Sequence, residues 1–150
     1  SACKSFTPAV TVTDFAVLPA NDADALATAL ATVGPIAVSV AASQFRLYGG
    51  GIFNGCTGQT GATINHAVQA VGYSQDYWLI RNSWGTTFGE SGYIRLSRSQ
   101  DSVLATDVEP GDGFSCVPYP SSIQVAGQCG VLSDSTYPTG ASAAAQSFVA

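Results

Sequence analysis

Apolar residues early in the chain recur with the period of a helix. Asn21 or Asp22 can cap the helix start, since a short polar side chain accepts a hydrogen bond from the first free backbone N–H groups. Glycine and proline at positions 34–35 end the segment, because neither continues a helix. One short helix is therefore predicted near residues 22–33, and three apolar residues form its buried face at i, i+4 and i+7: Leu26, Leu30 and Val33.

The next segment, residues 36–42, alternates between two kinds of side chain, which is the pattern of a strand. One face is β-branched and is predicted to belong to the core: Ile36, Val38 and Val40. The other face carries only small side chains: Ala37, Ser39 and Ala41. Small side chains leave room for a ligand, but they equally allow close packing of another strand. The sequence leaves both interpretations open.

Further strand-like segments follow at residues 66–73, 77–82 and 92–96, and residues 74–76 are typical of a hairpin turn between the first two. Residues 1–20 are rich in β-prone side chains and are predicted to be extended. One short helix among several strands predicts an α+β fold that is mostly β.

Two segments carry no periodic pattern. Residues 99–128 combine acidic residues, prolines and glycines, which predicts a long loop that folds over the domain, contacts a partner or is easily cleaved. Residues 141–150 are mostly small and apolar, and we expect this C-terminal tail to be poorly tied down. Residues 1–140 then form one domain, with residues 99–128 as an extended loop insertion.

Composition limits the classes of partner. The chain has 5 Lys and Arg against 10 Asp and Glu, a net charge of -5, whereas a nucleic-acid-binding surface needs clustered cations. No apolar run approaches about 20 residues, which is the length of a membrane-spanning helix. We therefore expect neither nucleic-acid binding nor a membrane span. The chain has no Met and begins with Ser1, so we also expect that it was cut from a longer one.

The four cysteines do not form the closely spaced pairs of a metal site, so the sequence predicts no metal and no cofactor. They are Cys3, Cys56, Cys116 and Cys129. A charged fraction of only 10%, with many small residues, is typical of a secreted or lysosomal/vacuolar protein. Disulfides persist in such oxidising compartments.

His66 is the only histidine of the chain. A single histidine in a strand is most often a structural residue, and it becomes a catalyst only beside a nucleophile and an orienting partner. The predicted hairpin brings Asn82 near His66, where the amide oxygen can accept from one ring nitrogen and fix the tautomer. Trp84 can shield that bond from water. The alternatives are that Asn82 is a turn residue and that Trp84 belongs to the core.

Motifs around these residues resemble those of the papain-like cysteine peptidases: NHAVQAVGY at 65–73, YWLIRNSWG at 77–85 and GESGYIR at 89–95. Three more segments resemble the same family in the same order: GPIAV at 34–38, FRLYGGGI at 45–52 and CGVLSDSTYP at 129–138. The resemblance implies a two-lobed enzyme with its active-site cleft between the lobes. This chain would be the second lobe, the antiparallel β-barrel-like right-hand lobe of the papain-like fold.

The resemblance gives His66 the role of general base and Asn82 the role of the residue that orients it. The family's nucleophilic cysteine and oxyanion-hole glutamine belong to the first lobe, which has no counterpart here. It therefore implies a partner, a first-lobe chain of the same peptidase, that carries both residues. Peptides and proteins would be the substrates.

The resemblance also assigns cysteines. Cys56 and Cys129 resemble the disulfide pair within the second lobe. Cys3 resembles the cysteine that bridges to the first lobe, which makes it the candidate for an interchain disulfide. Cys116 has no counterpart, and it is either free or paired with Cys3 if the first lobe is absent.

Substrate-binding residues follow from the same resemblance. Ser39, Ala67 and Asp134 match positions that line the pocket for the substrate side chain two residues before the scissile bond. Two small residues make the pocket roomy, and the Asp134 carboxylate could pair with Arg or Lys while tolerating apolar groups, so we hypothesise mixed specificity. The alternative is that Asp134 faces water. Asn65 and Trp84 complete the expected set.

The sequence thus predicts part of a papain-like cysteine endopeptidase, inactive alone and active when assembled with the nucleophile-bearing chain. Two alternatives stay open. The lobe can serve in a non-catalytic structural, self-assembling or pseudo-peptidase protein, or the partner chain can carry serine at the nucleophile position, as in silica-forming relatives of the family. The residue at that position distinguishes these readings.

Overall fold

The computed structural model describes residues 9–113 and 118–143. In these residues one α-helix, α1, covers Ala23–Thr32. The strands are β1 Val10–Thr11, β2 Asp14–Val17, β3 Ile36–Val40, β4 Ile52–Phe53, β5 Gly61–Ala62, β6 His66–Tyr73, β7 Tyr77–Arg81, β8 Tyr93–Ser97, β9 Leu104–Asp107, β10 Ile123–Ala126, β11 Ser135–Thr139 and β12 Ser142–Ala143. The α+β, mostly β fold class is confirmed.

Seven strands form the main sheet, in the order β2-β11-β3-β6-β7-β8-β4. All neighbours are antiparallel except β4 and β8, which run parallel. The expected barrel-like arrangement needs a correction, because the sheet does not close into a barrel. A barrel requires the two outermost strands to pair with each other, whereas β2 and β4 are the open edges here.

The helix forms where the sequence predicts it. Asp22 is the N-cap, and its Oδ1 accepts a hydrogen bond of 2.8 Å from the Ala25 N–H. Leu26 is buried, but Val33, expected on the buried face, is the C-cap residue and is 51% exposed. The helix packs on β3 and β6. The predicted core face of β3 is buried in full: Ile36, Val38 and Val40.

Residues 99–128 were expected to be a loop, and this expectation is wrong for much of the segment. Strands β9 and β10 pair antiparallel, and β5 joins β9 in parallel to give a three-stranded sheet. Asn21 ties this sheet to the helix start, because its side chain donates to the Gln124 carbonyl and accepts from the Ala126 N–H. We call residues 104–113 and 118–126 the insertion.

The start of the C-terminal tail is also held, contrary to expectation. Strand β12 pairs with β1, with Val10 opposite Ala143. Cys3 and Cys116, for which disulfide partners were considered, lie outside the described residues. Within residues 9–113 and 118–143, no helix is both long enough and apolar enough to cross a membrane.

Candidate active site

The predicted hairpin brings His66 and Asn82 together. His66 is the first residue of β6 and pairs with Val40 of β3, and Asn82 directly follows β7. Residues 74–76 form the turn that folds β7 back on β6. The His66 Nε2 atom lies 2.9 Å from the Asn82 Oδ1 atom. His66 is half-buried and Asn82 is buried, so the bond is largely protected from water.

A second contact identifies the Asn82 atom that faces the ring. The Ser83 backbone N–H donates to the same Oδ1 atom at 2.8 Å. A backbone N–H can only donate, so the atom between the two groups is the amide oxygen. Nε2 must then carry the ring proton, and in the neutral imidazole Nδ1 is the basic nitrogen. The Asn82 side chain thereby selects the His66 tautomer.

Trp84 covers one face of the imidazole. Its ring stacks on His66 with centroids 5.2 Å apart and an interplanar angle of 29°. Trp84 is 41% exposed, and its inner edge contacts Phe45 and Phe88. Trp84 therefore belongs to the rim of the site. A position in the core was the alternative interpretation of the sequence.

A charged network fixes the loop that carries Trp84. The Glu90 carboxylate accepts from Arg95 Nε at 2.8 Å and from the Gly51 N–H at 3.0 Å. The Arg95 hydrogen bonds, followed by the Gly51 bond, lower the pKa of Glu90 to about 2, and Glu90 in turn raises the pKa of Arg95. Tyr48 donates its hydroxyl to the Gly51 carbonyl. Sequence reasoning missed this network, because its members come from two segments that lie about 40 residues apart, 48–51 and 90–95.

Three of the predicted substrate-binding residues meet beside the histidine. Ser39 of β3 lies opposite Ala67 of β6, one position away from the Val40 and His66 pair. The Ser39 hydroxyl donates to Asp134 Oδ2 at 3.0 Å, and the Ser39 N–H donates to the Asp134 carbonyl at 3.2 Å. Ala67 and Asp134 are exposed. These contacts make one small, polar, acidic surface next to His66.

Asn65 serves a different local purpose. Its Oδ1 atom accepts from the Ala42 N–H at 3.1 Å, and its own N–H donates to the Val40 carbonyl at 3.2 Å. The side chain thus joins the start of β6 to the turn after β3. Asn65 is exposed, so it is also accessible to a ligand.

The cysteines of the described residues do not supply a nucleophile. Cys56 and Cys129 form a disulfide, as the resemblance implied. The same residues contain no group of three His, Cys, Asp or Glu side chains arranged to hold a metal ion. What the arrangement offers is a base: Nδ1 of His66 can take a proton from a group brought to it. Sequence reasoning also missed the buried Asp107, which lies outside every motif.

Comparisons with known proteins identify the family. The model of the papain family cysteine proteases matches residues 1–110. Cathepsin L of Sarcophaga peregrina is 36% identical over 138 residues, which cover 86% of this chain and 32% of that protein. A probable cysteine protease of Arabidopsis thaliana, RD21C, is 37% identical over 142 residues, covering 91% of this chain and 26% of the relative.

Solved structures give the same result. The Carica candamarcensis cysteine protease CMS1MS2, in complex with E-64, has a TM-score of 0.59 at 40% identity and covers 83% of this chain and 47% of that one. The bromelain protease of Ananas comosus, in complex with the E64 inhibitor, has a TM-score of 0.61 at 36% identity, covering 85% and 50%. The chain thus spans a third or less of these curated relatives and about half of the solved chains. It belongs to the papain family of cysteine proteases.

Proposed function

We propose that this chain is the second lobe of a papain-like cysteine endopeptidase and works with a partner chain. The partner carries the nucleophilic cysteine and the oxyanion-hole glutamine, and this chain carries the base, His66, and its orienting residue, Asn82. The observation that supports the proposal is the 2.9 Å contact between His66 Nε2 and Asn82 Oδ1, which leaves Nδ1 as the basic nitrogen.

The proposed reaction uses Nδ1 twice. The partner's thiol transfers its proton to Nδ1, and the thiolate attacks the peptide carbonyl carbon. Nδ1–H then protonates the leaving amine as the C–N bond breaks, which leaves a thioester. Nδ1 next takes a proton from water, whose oxygen attacks the thioester, and Nδ1–H gives that proton to the departing sulfur, which releases the acid and restores the thiol. Asn82 accepts from Nε2–H throughout and stabilises the imidazolium whenever Nδ1 is protonated.

The proposed substrates are peptides and proteins. Ser39, Ala67 and Asp134 form the wall of the pocket for the side chain two residues before the scissile bond, and Asn65 and Trp84 flank His66. The small side chains and the one carboxylate support mixed specificity for apolar and basic groups. The disulfide supports a secreted or lysosomal/vacuolar location, where such bonds persist.

The proposal is tested on the native protein by intact mass, with and without reductant, and by cleavage of a fluorogenic peptide. We expect this 15.3 kDa chain together with a second chain, and cleavage that is inhibited by E-64 and lost in His66→Ala. Sequencing the second chain then identifies its nucleophile.

Three results contradict the proposal in different ways. A single longer species with the same activity would overturn the two-chain arrangement and keep the peptidase. An inactive protein would favour the structural or pseudo-peptidase alternative. A serine at the partner's nucleophile position would favour the silica-forming type of relative.

A further inference from the structure

The insertion pairs with one short segment, residues 60–64, which ends two residues before His66. Strand β9 pairs with β5, placing Gly61 opposite Thr106 and Ala62 opposite Asp107. The Thr106 N–H also donates to the Thr60 carbonyl at 3.0 Å. The segment would otherwise be an open loop between the disulfide and β6. Its path is therefore set by the insertion.

Asp107 bonds to this segment through a buried side chain. Its side chain is completely buried, with a relative exposure of 0%. Oδ2 accepts from the Ile64 N–H at 3.0 Å, and Oδ1 accepts from the Glu109 N–H at 2.8 Å. A buried carboxylate is tolerated only when its oxygens are hydrogen-bonded, so neither N–H can move away without a large cost. Ile64 is therefore fixed at its amide.

Gly113 restrains Ile64 from its other side. A β-carbon on Gly113 would lie 2.7 Å from the Ile64 carbonyl oxygen, closer than real β-carbons approach such an atom. The Ile64 side chain is 5% exposed, and a β-carbon on Gly130 would lie 2.6 Å from its Cδ1 atom. Amide, carbonyl and side chain of Ile64 are thus all enclosed, two residues before His66.

We propose that Asp107 and Gly113 are positioning residues for the base, acting through Ile64 on His66. The inference rests on the proposed function. Ile64 leads into Asn65, which bonds Val40 and Ala42, and then into the first residue of β6. A shift of Ile64 therefore moves the start of β6, and with it the imidazole relative to Asn82. Misplacement of a catalytic group by about 1 Å can lower a rate by about 100-fold.

Two glycines of the insertion provide a matched test. Gly113 has φ of -105°, so alanine fits its backbone, and the added methyl group pushes only on the Ile64 carbonyl. Gly111→Ala is the control, because its methyl group would meet the Tyr119 ring, which is 48% exposed and free to turn away. In the assembled enzyme, we expect Gly113→Ala to lower kcat by about tenfold or more with little change in KM, and Gly111→Ala to change neither.

A second pair tests Asp107 itself. In Asp107→Asn, whichever way the amide is turned, its NH2 group faces one of the two N–H groups, of Ile64 or Glu109. Asp112→Asn is the control, since it makes the same chemical change at an exposed site of the insertion. We expect Asp107→Asn to lower kcat in the same way as Gly113→Ala, and Asp112→Asn to leave it unchanged.

The imidazole provides a readout that a purely structural role would not move. His66 is the only histidine of the chain, so ¹⁵N-histidine labelling of this chain reports one ring in the intact protein. We expect the unmodified protein to show one set of ring signals with Nε2 protonated and hydrogen-bonded to Asn82, and Gly113→Ala and Asp107→Asn to show shifted or multiple Nε2 signals. Gly111→Ala and Asp112→Asn should match the unmodified protein.

Unchanged His66 signals in both Gly113→Ala and Asp107→Asn would overturn the inference, even if the melting temperature fell. Altered signals in a protein without peptidase activity would contradict the proposed function but support the positioning of the imidazole. The two failures are therefore distinguishable, and Gly113→Ala removes no buried charge, so it keeps the test valid if Asp107→Asn does not fold.

Discussion

The Ser39 hydroxyl decides how the Asp134 carboxylate is presented. It donates to Oδ2 at 3.0 Å, so one carboxylate oxygen is held beside β3. Asp134 is exposed, which leaves Oδ1 accessible to a cation. An exposed acid without such a contact would turn freely in water. A held one offers a charge at a fixed place beside Ala67, in the position proposed for the specificity pocket.

Asp134→Ala should therefore change substrate preference rather than overall activity. We expect the ratio of kcat/KM for Arg over Leu, at the substrate position two residues before the scissile bond, to fall about tenfold, as for loss of one charge-assisted hydrogen bond. The assembled enzyme is assayed with paired fluorogenic peptides. Asp112→Ala, which removes an exposed carboxylate of the insertion instead, is the control and should keep the preference for Arg. An unchanged ratio in Asp134→Ala would mean that this residue faces water.

Residues linked by a short hairpin could be found from the sequence, and residues linked across the fold could not. His66 and Asn82 are 16 positions apart, and an evident turn joins them. Asp107 meets Ile64 across 43 positions, through an insertion in which no turn or period announces the contact. Its burial has no local signal, because an aspartate is rarely fully buried and nothing beside it marks a partner.

At the scale of elements, the loop between β7 and β8 depends on one ion pair. Glu90 connects this loop both to Arg95 of β8 and to Gly51, just before β4. The pKa of Glu90 is lowered from 4.5 to about 2, chiefly by the Arg95 hydrogen bonds. The folded state thus favours the ionised form. The stabilising effect of the ionised Glu90 carboxylate is complete above pH 4.5 and is lost as the pH falls from 4.5 to about 2.

Glu90→Gln tests this directly. We expect the melting temperature of the variant to lie below that of the unmodified protein at pH 6, because the ion pair and its aligned hydrogen bonds are lost. The difference should shrink as the pH is lowered through 4.5 towards 2. Glu109→Gln is the control, since that side chain is exposed and has only a 3.4 Å contact with Thr63. A difference that is constant with pH would contradict the role of the charge.

Elements with a clear period were predicted well, and those defined by a distant partner were not. The alternation in β3 and the spacing in α1 each bury one face of a regular element. Strands β9 and β10 are four residues each, and β5, which completes their sheet, has two. Such short strands exist because a neighbour pairs with them, and pairing across some 45 residues leaves no pattern in either segment.

At the scale of the whole molecule, the Cys56–Cys129 disulfide connects the main sheet to the three-stranded sheet. Cys56 lies between β4 of the main sheet and β5 of the small one, and Cys129 lies in the turn that follows β10. The carbonyl of Cys129 also accepts from the Ala41 N–H at 2.9 Å, next to the end of β3. The bond spans 73 positions and encloses the strand of His66 together with the insertion.

Removing the disulfide should weaken the molecule as a unit. We expect the double variant Cys56→Ala, Cys129→Ala to lose about 2–4 kcal/mol of unfolding free energy, because a closed loop restricts the unfolded chain. Denaturant unfolding measures the loss, and hydrogen exchange should show earlier opening of residues 57–63 and of β9. Reductant should lower the unmodified protein to the level of the variant. The variant in reductant is the control, since it retains Cys3 and Cys116. Equal unfolding midpoints before and after removal would mean that the main sheet and the three-stranded sheet hold together by packing alone, and that the disulfide restricts only its own turn.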